Sequence, residues 1–298
     1  MCRELGGVGL SCVKRDQAGQ VILKYAAFHP CSTAEECQRV LEQQVKQENL
    51  QNSPCVSVLP ADTYQLMQVD VDKLPEAERR DAVRWQINER LDYPAEDAVI
   101  DVFETPPFSG DKRPTVYAVS AQQKILRERL KMVKEVDLAI ESINIPEFAL
   151  RNICDLFTED DRGVAILLLL EQSGVLVIER DEILYLVRWL NIGMDDLLSI
   201  ADGDDESLAE QLDAIVLEVQ RSFDYCESNF HLPMVSRLLV AQTQREIPAV
   251  VSYLNDILIT QVEPLSFENI LVLPEGSEQT QLNRCLFTIG GALRQENN

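Results

Sequence analysis

The chain has 298 residues, with 27 Lys+Arg against 50 Asp+Glu and a formal net charge of −23. Hydrophobic residues make up 46% of it beside 12 Gly and 13 Pro, a composition that packs cores for about two domains and excludes a disordered acidic tail. Acid in this excess repels DNA, RNA and anionic lipid, and no run of Lys and Arg interrupts it.

The start, Leu5-Gly6-Gly7-Val8-Gly9, precedes a strand and opens no helix, so it reads as a flexible lead-in and not as a phosphate cradle. Residues 8–13 and 21–28 form two strands around the turn Asp16-Gln17-Ala18-Gly19. Thr33 with Glu36 then caps a helix whose apolar stripe is Cys37, Leu41 and Val45. A strand at 55–59 closes this first group.

Residues 63–71 read as a strand, and 75–91 as an amphipathic helix with Val83, Ile87 and Leu91 inward and a charged outer face. Trp85 stands among those charges, where an aromatic ring is a common interface anchor. Strands at 98–104 and 115–120 follow, joined by the polar loop 105–114, then a helix through Ile125, Leu130 and Val133. This β-α-β-β-α set reads as an inserted lobe over residues 61–135. A strand at 138–143 and a helix from Pro146 to about Phe157 complete the first half, and the polar stretch 158–163 separates the halves.

The continuous apolar run at 164–170, with strands at 175–179 and 183–189, predicts a buried meander; it is too short to span a membrane. Residues 204–230 carry a stripe at steps of three and four, which predicts one long helix ended by Pro233. Strand 235–241, helix 248–256, strand 259–262 and helix 282–293 end the chain.

Little here suggests chemistry. The two histidines, His29 and His231, have no partner at ligand spacing, so no metal is expected. The eight cysteines contain no Cys-x-x-Cys pair and are expected to be reduced, structural thiols. No nucleophile elbow, Walker loop or Gly-x-Gly-x-x-Gly occurs. Asp202, Asp204, Asp205 and Glu206 precede the long helix, where they complement its dipole and lack the ligand alternation of a calcium loop.

Residues 78–101 (ERRDAVRWQINERLDYPAEDAVID), 140–151 (IESINIPEFALR), 218–230 (EVQRSFDYCESNF) and 290–294 (GGALR) occur in an order that resembles the PilM family of actin-like, FtsA-related proteins of type IV pilus machines. The likeness is strongest to its counterpart in biogenesis of mannose-sensitive haemagglutinin (MSHA) pili. It implies an α/β, two-lobed actin-like fold with a small subdomain inserted in the first lobe: residues 1–60 and 136–160 as first lobe, 61–135 as the insertion, and 161–298 as second lobe.

Members of that family that bind ATP carry an Asp followed by Gly and Ser in the first phosphate loop, an Asp-apolar-Gly in the second and a Gly-Gly after a later strand. The corresponding positions here hold Ser11 and Cys12, Glu171 and Ser173, and Ala241 and Gln242. Without the Asp a metal-bound water loses its anchor, and without the glycines Cβ atoms crowd the amides' approach to phosphate. The resemblance therefore implies a non-catalytic protein that holds neither cofactor nor metal, with ATP and Mg as the alternative.

The same resemblance implies a cytoplasmic scaffold, peripheral to the inner membrane, that grips the cytoplasmic tail of a PilN-like inner-membrane protein and communicates with the pilus motor ATPase. Trp85, Glu89, Asp92 and Tyr93 are the candidate tail contacts, since aromatic and acidic groups at one helix end suit a tail with Lys or Arg beside its membrane helix. Two alternatives stand beside this reading. One is an actin-like nucleotide switch with diverged loops. The other is a GspL-like cytoplasmic domain of type II secretion, whose relatives usually continue into a membrane helix.

Overall fold

The structure, a computed structural model, describes residues 1–4, 6–71, 76–106, 114–160, 162–203 and 205–294. Pro75, most of the loop 105–114, Asp161 and Asp204 lie outside them.

The elements begin with β1 (Cys2–Glu4), β2 (Gly7–Arg15), β3 (Val21–Pro30), α1 (Ala34–Gln47) and β4 (Pro54–Val58). Next come β5 (Tyr64–Asp70), α2 (Glu76–Ile87), β6 (Ala98–Glu104), β7 (Thr115–Gln122), α3 (Gln123–Glu135), β8 (Ala139–Asn144) and α4 (Pro146–Cys154). The remainder is β9 (Val164–Leu169), β10 (Gly174–Arg180), β11 (Ile183–Leu190), α5 (Met194–Ile200), α6 (Asp205–Phe230), β12 (Arg237–Gln242), α7 (Pro248–Ile257), β13 (Gln261–Pro264), α8 (Gln279–Arg284) and α9 (Leu286–Ala292).

Two compact units divide the chain: Met1–Val8 with His29–Pro146, and Gly9–Phe28 with Glu147–Asn298. Most of the β2–β3 hairpin, and α4 after its first residue, thus count with the second unit, whereas the expected lobe bounds put them with the first.

In the first unit β1, β4 and β8 are neighbours in one sheet, β4 pairing parallel with both others. The expected flexible start at residues 5–9 is corrected here: Gly7, Val8 and Gly9 are buried residues of β2, and a further strand precedes them. Residues 2–4 form a strand because the Met1 ammonium donates to Val56 O (2.9 Å) and the Val58 amide to Met1 O (2.8 Å), which hold the terminus against β4. Helix α1 starts as its capping box predicts: Thr33 Oγ1 accepts from the Glu36 amide (3.2 Å) and Glu36 Oε2 from the Ser32 amide (2.8 Å). Such a cap stabilises a helix by about 1 kcal/mol.

The cysteine expectation is corrected as well. Cys31, after β3, and Cys37, in the first turn of α1, form a disulfide because the turn between them brings their Cα atoms to 5.4 Å. The other six form no disulfide among the described residues.

Residues 64–122 of this unit build a separate antiparallel sheet, order β5-β7-β6, with α2 laid on one face. Met67, Val69, Ile100, Val116 and Ala118 alternate onto that face, where Val83 and Ile87 of α2 complete a small core.

The second unit is built on a five-stranded sheet, order β11-β10-β9-β12-β13. The meander β9-β10-β11 is antiparallel, as expected, while β12 runs parallel to β9 and β13. Residues 164–169 are all buried, which explains the continuous apolar run: this strand has no solvated face. Alternate residues Ala165, Leu167 and Leu169 meet Leu212, Ile215 and Val219 of α6 and Val250 and Leu254 of α7 in one core.

The closing helix expected over 282–293 is broken at Cys285 into α8 and α9. Helix α5 has no counterpart among the expected elements, because its seven residues are too short to show a period. Among the described residues no helix is long and apolar enough to cross a membrane.

Candidate functional site

In open α/β sheets, ligands approach the carboxyl ends of parallel strands. In the second unit those ends are Leu169 of β9 and Gln242 of β12; of the positions compared with phosphate loops, Glu171 and Ser173 follow the first, Ala241 and Gln242 form the second, and Ser11 and Cys12 lie within β2. Each is tied to the protein's own groups.

After β9, Leu170–Ser173 forms a tight turn in which the Leu170 amide donates to Ser173 O (2.8 Å). Gly193 lies directly over it: a Cβ there would sit 2.4 Å from Glu171 O and 2.5 Å from Ser173 N. The following amides of Met194 and Asp195 donate to Leu170 O (2.7 Å) and Glu171 O (2.8 Å), which fills the outer side of the turn with backbone. The Glu171 carboxylate accepts from Arg284 (2.7 Å), and the Arg284 guanidinium stacks over the Phe28 ring at 4.3 Å. The guanidinium beside this turn is thus neutralised by a carboxylate.

After β12, Ala241 and Gln242 are buried. The Gln242 side chain bridges back to Ile247, accepting from its amide (2.9 Å) and donating to its carbonyl (3.4 Å). Gln242 O accepts from Asn283 Nδ2 (2.9 Å), and Thr243 Oγ1 donates to Leu169 O (3.0 Å). This loop is a closed hydrogen-bond circuit.

On β2, the Ser11 and Thr288 hydroxyls lie 2.6 Å apart. Thr288 gives its proton to Cys285 O (2.9 Å), so Ser11 is the donor of the pair. Cys12 is half-buried. The bonding partners Thr288, Asn283 and Arg284 are not legible in the sequence: they lie 277, 41 and 113 residues from Ser11, Gln242 and Glu171, and no local spacing marks such pairs.

The four tail-contact candidates belong to the first unit and fall into two sets. Trp85 is 81% exposed on the outer face of α2, and Glu89, one turn on, is also exposed. Asp92 and Tyr93 instead close the end of the small sheet: Asp92 accepts from Gln65 Nε2 (2.7 Å), and the Tyr93 hydroxyl bonds the buried Ser120 Oγ (2.8 Å). Partial burial raises the Tyr93 hydroxyl above its ordinary pKa, against the hydrogen bond to Ser120, which lowers it. Trp85 and Glu89 are exposed, whereas Tyr93 is committed to the fold. Among the described residues no cluster of His, Cys, Asp and Glu forms a metal site.

No sequence-family profile and no curated protein sequence matches the chain. Solved structures do match it along most of its length. A PilM-PilN type IV pilus biogenesis complex aligns with a TM-score of 0.71 at 20% identity, covering 98% of this chain and 96% of that one. The cytoplasmic domain of EpsL, an inner-membrane component of the type II secretion system of Vibrio cholerae, aligns at 0.51 and 12% identity over 91% and 90% of the two chains. A Bacteroides thetaiotaomicron protein with an actin-like ATPase fold and unknown function aligns at 0.51 and 6% identity over 96% and 93%. The chain has an actin-like fold of the kind found in PilM.

Proposed function

We propose that the protein is a non-catalytic scaffold of a type IV pilus assembly platform, of the MSHA (MshI-like) kind, that binds the cytoplasmic tail of a PilN-like inner-membrane protein. The observation that carries the proposal is the full-length likeness to PilM in a structure whose other named component is PilN. On this reading the protein sits in the cytoplasm, held at the inner membrane by its partner, and contact with the motor ATPase follows from its place in the platform.

The strand-end loops support the non-catalytic part. A triphosphate with magnesium needs free backbone amides, close approach and an anchoring carboxylate. Here the turn after β9 is covered by Gly193 and its carboxylate is paired with Arg284, while Gln242 is locked to Ile247. These residues do not fit ATP.

The likeness to EpsL favours a second reading, an equivalent platform role in type II secretion. Co-purification separates the two. Recovery of the tagged protein with a PilN-like partner, abolished when that partner's cytoplasmic tail is deleted, supports the pilus reading. Recovery with secretion-platform proteins alone supports the second, and recovery with neither removes both.

A further inference from the structure

The second unit carries a groove of about 330 Å³ between the C-terminal half of α6, the segment after it and the end of α7. It shares no lining residue with the strand-end loops. Three aliphatic side chains stand in solvent along it: Ile259 is 88% exposed, Met234 47% and Ile257 42%. Single exposed apolar residues are ordinary, but three around one groove form the kind of patch that marks an interaction surface.

The charge of the groove says what covers it. Its charged lining residues are Asp224 and Glu227, both exposed and neither in an ion pair among the described residues. They stand three apart on α6, hence side by side on one face. Both lie in the last two turns of that helix, whose final turn carries no basic residue. The C-terminal end of a helix dipole is itself negative, so acids there are disfavoured and basic residues preferred. The groove therefore presents uncompensated negative potential beside an apolar floor.

We propose that this groove docks a short peptide segment of a partner protein in which one or two aliphatic side chains are followed by Lys or Arg. The aliphatic side chains cover Met234, Ile257 and Ile259, and the cation lies over Asp224 and Glu227. This surface is independent of the tail contacts proposed on α2, which belong to the other unit.

The test is fluorescence anisotropy on the full chain with a fluorescein-labelled Ser-Leu-Leu-Lys-Arg-Ser peptide, beside the same peptide with Glu in place of Lys and Arg. Saturable binding of the basic peptide alone is expected, weakened about tenfold or more by Ile259→Asp and by the double change Asp224→Lys with Glu227→Lys. Ile259 is so exposed that its replacement should leave the melting temperature unchanged. Trp85→Ala should leave this affinity unchanged, so loss of the α2 contacts is read separately. The proposal is overturned if no saturable binding occurs up to millimolar peptide, or if binding survives Ile259→Asp. It is equally overturned if sedimentation shows a dimer that Ile259→Asp dissociates, since a second copy then covers the groove.

Discussion

Gly290 of α9 rests on the backbone of Ala149 in α4: a Cβ built on Gly290 would lie 2.0 Å from Ala149 O and 2.6 Å from its carbonyl carbon. The neighbouring Asn152 side chain donates to Gly290 O (2.9 Å), which locks the two helices in register. Both glycine and alanine sit in stretches that carry the resemblance to PilM, so two phrases far apart in sequence are two sides of one helix contact. Gly290→Ala must push backbone apart and should destabilise the protein by about 1–3 kcal/mol or more. Gly203, where an added Cβ would meet nothing within 4 Å, supplies the control. Thermal melts check this, and equal melting temperatures for Gly290→Ala and Gly203→Ala would contradict it.

Glu179 gives the protein a pH-dependent stability. It is buried at the end of β10, where the pairing with β11 shifts register, and burial pushes its carboxyl up to about 7. The Glu182 amide (2.6 Å) and Thr158 hydroxyl (3.3 Å) favour the ionised form and offset part of that rise, while Asp155 adds to it. The folded-state value lies above the ordinary carboxylate value of 4.5, so the stability contribution is complete below about pH 4.5 and is lost as pH rises through about 7. Glu179→Gln should match the parent near pH 5 and exceed it by about 1–3 kcal/mol at pH 8. Urea unfolding at the two values measures the difference; an equal change at both would assign the effect to packing.

The α2 face separates recognition from folding. Trp85→Ala removes a side chain exposed to water, so stability should stay within about 0.5 kcal/mol. Affinity for a PilN-like tail peptide should fall about tenfold, and Glu89→Ala should lower it less. Tyr93→Phe should do the reverse. It strands the buried Ser120 hydroxyl, costs about 1 kcal/mol of stability and leaves peptide affinity nearly unchanged. Calorimetric titration with parallel melts reads both. Unchanged affinity in Trp85→Ala together with Glu89→Ala removes this face from the site.

Local signals carry much of the fold and little of the site. The stripe from Leu208 to Cys226 gives α6, Thr33 and Glu36 give the start of α1, and the apolar run before Glu171 gives a strand buried on both faces. Strand β1 is invisible in the sequence because three residues carry no period and what holds them is a pairing more than fifty residues away. The Cys31–Cys37 bond is equally hidden, since its spacing matches no common motif; the turn between strand and helix makes it. At the strand ends the sequence reveals missing Gly and Asp. It does not reveal that Arg284, Asn283 and Thr288 come from the last helices to bond Glu171, Gln242 and Ser11.

Calorimetric titration of the purified full chain with Mg·ATP asks directly whether those strand-end loops hold a nucleotide. With Glu171 paired to Arg284 and Gln242 closed on Ile247, no saturable heat is expected up to millimolar nucleotide. Stoichiometric binding in the micromolar range would contradict it and make the protein a nucleotide-dependent switch.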